Sequence, residues 1–158
     1  MPTYTLYIKY IRSDSKDRVI HLELFRENMT RAQVLAYPTL TLAHVGDCVY
    51  ELLARSRVVH KGVYKAHETH RRTVALVSAE AQHQGARAIL PQLTEDELAV
   101  FGRGRNAKPK TIPKHAGLEA YAYATGLECL FGYLYLLGEN ERIDTLWKAV
   151  AAEIDPEA

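Results

Sequence analysis

From Met29 onward the hydrophobic positions recur at helical spacing. In "TLAHVGDCVYELLARSRVV", residues 41–59, Leu42, Val45, Val49, Leu52 and Leu53 form an apolar stripe, and Lys61-Gly62 marks its stop. The segment "KAHETHRRTVALVSAEAQHQGARAIL" reads as one long helix with a break near Gly85, its stripe carried by Val74, Val77 and Ala81. Thr94 with Glu97 three residues later is a capping-box pattern, and it starts a helix through "DELAVFGRGR". "NAKPKTIPKHAG" has two prolines and no periodicity, so it reads as a loop. "LEAYAYATGLECLFGYLYLLG" is the next strong helix, broken at Gly138-Glu139-Asn140, and "ERIDTLWKAVAAEI" is the last. Residues 1–28 differ: "YTLYIKYI" and "RVIHLELF" are β-prone and flank the polar "RSDSKD". The pattern predicts an all-α domain over residues 29–158, preceded by an extension over 1–28 that forms a β-hairpin or is poorly ordered.

A length of 158 residues suits one domain with a sizeable core. No apolar run approaches the roughly 20 residues of a membrane-spanning helix. The first residues lack the basic-then-apolar pattern of a signal peptide. Two cysteines, Cys48 and Cys129, show no zinc-type spacing. A soluble protein of a reducing cytoplasm is expected. The net charge of +1 conceals an uneven distribution: residues 55–114 carry a net +7 and the remainder a net −6. Four of the seven histidines also lie in that basic middle, and His115 directly follows it. One surface is thereby suited to an anionic partner, the alternative being a solvated face of interspersed charge.

The chemistry centres on Asp47. His44, Asp47, Glu51 and Arg55 lie on one side of their helix, with Asp47 nearest the apolar boundary. Glu128 sits at the edge of the stripe formed by Leu127, Leu130, Phe131, Leu134 and Leu137. A mid-helix glycine costs about 1 kcal/mol against alanine, so Gly46, Gly126 and Gly132 mark close backbone approaches. Two helices crossing through these glycines would bring Asp47 and Glu128 face to face. Two carboxylates in a poorly solvated place either share a proton or are neutralised by a cation. Hard oxygen ligands suit Mg²⁺, which often takes only one or two protein carboxylates beside water and substrate phosphates. The alternative is that Asp47 pairs with Arg55 or Lys61 and Glu128 is simply exposed.

Three stretches carry a resemblance. "LAHVGDCVYELLARSRVV" resembles the signature helix of the ribonuclease III family, and "YAYATGLECLFGYLYLLGENERIDTLW" resembles that family's second site helix. "GRGRNAK" followed by "TIPKHA" and "YAYAT" resembles the Mini-ribonuclease III branch, which has the catalytic domain and no double-stranded-RNA-binding domain. The resemblance covers roughly residues 30–155, and the short segment after the last helix is expected to leave no room for the further domain. It implies that Asp47 and Glu128 are catalytic and hold the metal. Of the four carboxylates of the classical site only these two have counterparts. Ala43 and Thr125 stand in the other two positions, and Thr125 is what the branch leads one to expect. His44 stands where an aromatic residue is expected. Cys48 and Cys129 replace alanines and read as small buried thiols.

The resemblance further implies a homodimer whose two sites line a valley for double-stranded RNA, where shape, phosphates and 2′-hydroxyls are read. Arg103, Arg105, Asn106 and Lys108, spaced by flexible glycines and extended by Lys110 and Lys114, are the expected main RNA contact. Lys65, His67, His70, Arg71 and Arg72 form a second basic stretch. Tyr121, Tyr123, Tyr133 and Tyr135 read as core or dimer surface, and apolar residues near 127–137 outside the main stripe are expected in the dimer interface. The implied activity is Mg²⁺-dependent endonucleolytic cleavage of double-stranded RNA, maturing the ends of precursor 23S ribosomal RNA, with ribosomal proteins as further partners and no membrane. The alternative is a non-catalytic RNA-binding or ribosome-assembly factor on the same scaffold, because half of the classical carboxylates are missing.

Overall fold

The structure, a computed structural model, describes residues 28–107 and 117–156. The expected hairpin within residues 1–28 lies outside the described residues, apart from Asn28. The described chain is all helical: α1 (Arg31–Leu35), α2 (Thr39–Lys61), α3 (Ala66–Val77), α4 (Ala79–Ile89), a short 3₁₀ turn (Leu90–Gln92), α5 (Glu95–Arg105), α6 (Leu118–Leu137) and α7 (Asn140–Ile154). Among the described residues no helix is long and apolar enough to cross a membrane.

α6 is the hub. Its middle, from Ala124 to Leu134, is buried except for the half-buried Glu128, because α2, α4 and α5 pack around it. A helix apolar on all sides belongs inside a domain, and the apolar residues from Leu127 to Leu134 therefore serve the protomer's own core, while Tyr135, Leu136 and Leu137 are half-buried against it. For the buried residues up to Leu134, that corrects their expected place in a dimer interface. Tyr50 of α2 is fully buried beside them, its ring edge-on to Phe131 at 5.9 Å and to Trp147 of α7 at 5.3 Å. Its hydroxyl donates to the Leu76 carbonyl at 3.1 Å, which satisfies the polar tip.

The capping box at Thr94 and Glu97 forms as the spacing predicts. Glu97 does more than cap. Though 5% exposed, it takes two bonds from Arg142 of α7, each 2.8 Å, and Arg142 also donates to the Gln92 carbonyl at 2.7 Å. This fork ties the start of α5 to α7. The long helix expected over the third segment is two helices, and the break falls at Ser78. Ser78 is extended and its hydroxyl accepts the Ala81 amide, a standard N-cap. Gly85 sits inside α4, where a Cβ would lie 2.6 Å from Val150 Cγ1, so its small size serves helix packing.

Candidate active site

α2 and α6 cross at two glycines. A Cβ on Gly46 would lie 1.6 Å from the Glu128 carbonyl oxygen, and one on Gly132 would lie 2.0 Å from the Leu42 carbonyl oxygen. The backbones touch there, as the glycine spacing predicts. Gly126 serves a different neighbour: its missing Cβ makes room for the Phe101 ring of α5. Because Gly46 precedes Asp47 and abuts Glu128, the crossing sets both carboxylates on the wall of one cavity of about 490 Å³. Thr125, Tyr121, Gln82 and Glu80 line the same cavity.

Its electrostatics are those of an uncompensated acidic pair. Glu128 is half-buried, and its carboxyl is pushed from the ordinary 4.5 up to about 7, first by burial and then by the Asp47 charge, while the Gln82 amide acts in the opposite sense. Asp47 is exposed on the cavity wall, and its carboxyl is raised too, by partial desolvation and by Glu51, with His44 opposing. Among the described residues neither carboxylate has an ion-pair partner. Arg55 is held by Glu51 at 2.7 Å, and Lys61 joins Arg57 on Asp155. The pairing of Asp47 with Arg55 or Lys61 is therefore not what the structure adopts.

The donors around the cavity are oxygens, and no third His, Cys, Asp or Glu gathers with the pair at metal-binding range among the described residues. Two carboxylates with room for water suit a hard divalent ion such as Mg²⁺ better than a zinc-type site. Thr125 is buried, and its hydroxyl donates to the Tyr121 carbonyl at 3.0 Å. Ala43 is buried and offers no ligand.

The residues expected to meet RNA divide. Arg103 is partly buried and donates to the Leu35 and Tyr37 carbonyls and the Thr39 hydroxyl at 3.3–3.4 Å, clasping α5 to the start of α2. Gly102, Arg103, Gly104 and Arg105 form the last turn of α5, so the glycines are not flexible spacers. Gly104 is there because a Cβ would strike the Thr125 carbonyl at 2.6 Å. Arg105 is exposed with its guanidinium over the Tyr123 ring at 5.1 Å, and Asn106 is exposed as the C-cap. Lys108, Lys110 and Lys114 lie outside the described residues. Lys65 is exposed at the N-cap of α3, while Arg71 and Arg72 pair with Glu68 at 2.7 and 2.6 Å. Tyr123 packs between Phe101 and His83. Both cysteines are free. Cys129 is buried as expected, whereas Cys48 is exposed.

Gln82 and Glu80 escaped sequence reasoning, and Tyr121, read there as core or dimer surface, lines the cavity instead. The first two enter the cavity because α4 starts at Ser78, and the Ser78 N-cap was the available signal.

The chain matches the Ribonuclease III domain family over residues 40–139. It is 42% identical over 127 residues to a Mini-ribonuclease 3 of Symbiobacterium thermophilum, covering 80% of this chain and 98% of that protein. To a Mini-ribonuclease 3 of Brevibacillus brevis it is 38% identical over 133 residues, covering 84% and 98%. A crystal structure of a Fusobacterium nucleatum protein superposes with a TM-score of 0.70 at 28% identity, covering 80% of this chain and 98% of that one. A shared helical architecture, the Gly-Asp crossing and identity at this level over most of the length place the chain in the ribonuclease III family, in its Mini-ribonuclease 3 branch.

Proposed function

We propose that the Asp47–Glu128 cavity is the active site of a Mg²⁺-dependent endoribonuclease that cleaves double-stranded RNA, with the ends of precursor 23S ribosomal RNA as its target. The observation that carries this reading is the meeting of two carboxylates, 81 positions apart in sequence, in one cavity with no neutralising cation among the described residues. Such a pair is costly to fold around, and a divalent ion removes the repulsion. Family membership supports hydrolysis of RNA.

Asp47 of α2 and Glu128 of α6 would hold the ion together at the cavity they share. When bound, the ion supplies a Lewis acid for the phosphoryl oxygen and makes water a better nucleophile at neutral pH. Asp47, the more exposed of the two, would meet the phosphate and orient the attacking water. Glu128, anchored at the crossing, keeps the second wall fixed. No serine or cysteine nucleophile is required. Arg105, Asn106 and Lys65, with Lys108 and Lys114, supply the cations and donors for the phosphate backbone, and Arg103 holds the helix that presents Arg105 and Asn106.

The working form is a cytoplasmic homodimer, with residues 29–158 as the catalytic domain and ribosomal proteins within reach of the same RNA. Leu40, His44, Cys48 and Leu52, spaced four apart and all exposed, make a stripe along α2 beside Asp47 that suits a second copy of the chain. The test is cleavage of a long RNA duplex in Mg²⁺. Loss of one carboxylate ligand in Asp47→Asn should reduce cleavage by about 10²–10³-fold or more, given several kcal/mol of transition-state stabilisation. Equal cleavage by both proteins would refute the site. RNA binding without cleavage by either would favour the non-catalytic scaffold.

A further inference from the structure

Gln82 occupies a position that packing alone would give to a hydrophobic residue. It is 3% exposed and lines the cavity that holds Asp47 and Glu128. Its Nε2 donates to the Val77 carbonyl at 3.3 Å, across the Ser78 break between α3 and α4. Gln82 and Glu128 line the same cavity, and the Gln82 amide favours the ionised carboxylate. Its Oε1, by contrast, is buried and has no hydrogen-bond partner. A buried acceptor without a partner destabilises the fold, and methionine or leucine would fill the space without that cost. What an apolar residue cannot supply is a nitrogen with two hydrogens, able to grip a backbone carbonyl and a carboxylate at once.

We propose that Gln82 is a positioning residue of the acidic cavity: anchored on the Val77 carbonyl, its amide holds the Glu128 side chain in the orientation that grips a divalent ion together with Asp47. The Glu128 backbone is pinned against Gly46. Its side chain has no ion pair among the described residues, which leaves the anchored Gln82 amide on the same cavity wall to orient it. Residues that orient metal-binding carboxylates act on affinity through geometry and leave the charge of the site unchanged. The proposal rests on reading Asp47 and Glu128 as an ion site. It adds a residue from a third helix, α4, to the pair contributed by α2 and α6.

Mn²⁺ is the probe, followed by the paramagnetic resonance of the free ion with metal-free wild type, Gln82→Met and Asp47→Asn. Gln82→Met should keep the helical content and weaken Mn²⁺ binding by about tenfold or more, with a smaller Mn²⁺-induced rise in Tm. A residue that merely caps α3 would lower the metal-free Tm and leave Mn²⁺ affinity within about twofold of wild type, and that result overturns the proposal. Asp47→Asn separates the two readings. If it too leaves Mn²⁺ binding intact, the ion site itself falls. If it weakens binding while Gln82→Met does not, only the role of Gln82 falls. Should Gln82→Met fail to fold, the side-chain amide resonance of Gln82 in ¹⁵N-labelled wild type decides. That resonance should move on addition of Mg²⁺ and on Glu128→Gln, and its indifference to both overturns the proposal.

Discussion

Replacing Glu128 by glutamine should stabilise the metal-free protein, by an amount that grows with pH. The carboxyl titrates near 4.5 in the unfolded chain and about 7 in the folded one, because burial and the Asp47 charge disfavour its ionised form. Below pH 4.5 both states are protonated and the group contributes nothing to the pH dependence. Between 4.5 and 7 the unfolded chain has released the proton and the folded one retains it, so stability falls as pH rises. Above 7 the loss is complete. At ~1.4 kcal/mol per pH unit, the interval corresponds to a loss of ~3 kcal/mol by pH 8. A glutamine side chain cannot ionise and fills nearly the same volume, so Glu128→Gln in chelator should gain ~2–3 kcal/mol over wild type at pH 8 and differ little at pH 4.5. Urea denaturation across that range, read by circular dichroism, measures both. Saturating Mg²⁺ should narrow the gap by stabilising wild type alone. A variant less stable than wild type at pH 8, or a difference that does not change with pH, would refute the account of Glu128 as a half-buried acid without an ion-pair partner.

Gly46→Ala should destabilise the protein by at least ~2 kcal/mol in the same assay, because its Cβ would meet backbone and no flexible side-chain tip can yield there. A folded Gly46→Ala protein should also bind Mn²⁺ more weakly, since separating α2 from α6 separates the carboxylates. Arg142→Met should cost ~3 kcal/mol, because it leaves the buried Glu97 carboxylate with only its capping partner; thermal unfolding is the check, and unchanged Tm would contradict it. For RNA binding, Arg105→Ala should lower duplex affinity and reduce the slope of log K against log salt by about 1, whereas Arg103→Ala should mainly lower Tm through loss of its clasp on α1 and α2.

Helices with a cap or a glycine at their ends were legible from the chain alone, because those signals are local. The Thr94–Glu97 box, the stop at Gly62 and the turn at Gly138 all stand where the residue pattern puts them. The Ser78 break was hidden, because glycine at position 85 is the more conspicuous breaker and only its contact with Val150 reveals that it serves packing. The acidic pair was legible through the glycines beside it: a residue without a side chain in mid-helix implies a neighbour's backbone, and the carboxylates ride on that contact. Three things needed the fold. Which side of α6 faces solvent is undetermined by a helix apolar all round, so its surplus hydrophobic residues could be assigned to core or interface only once α2, α4 and α5 were seen to surround it. Whether an arginine is free for RNA depends on carbonyls that come near it in space, and Arg103 found three oxygen partners between the end of α1 and the start of α2. And Gln82 entered the site because a kink tens of residues from either carboxylate turns its amide inward. Local pattern determined which helices form and which acids they carry. Tertiary packing decided which polar atoms are left without partners, because desolvation and pairing depend on neighbours that sequence distance does not encode.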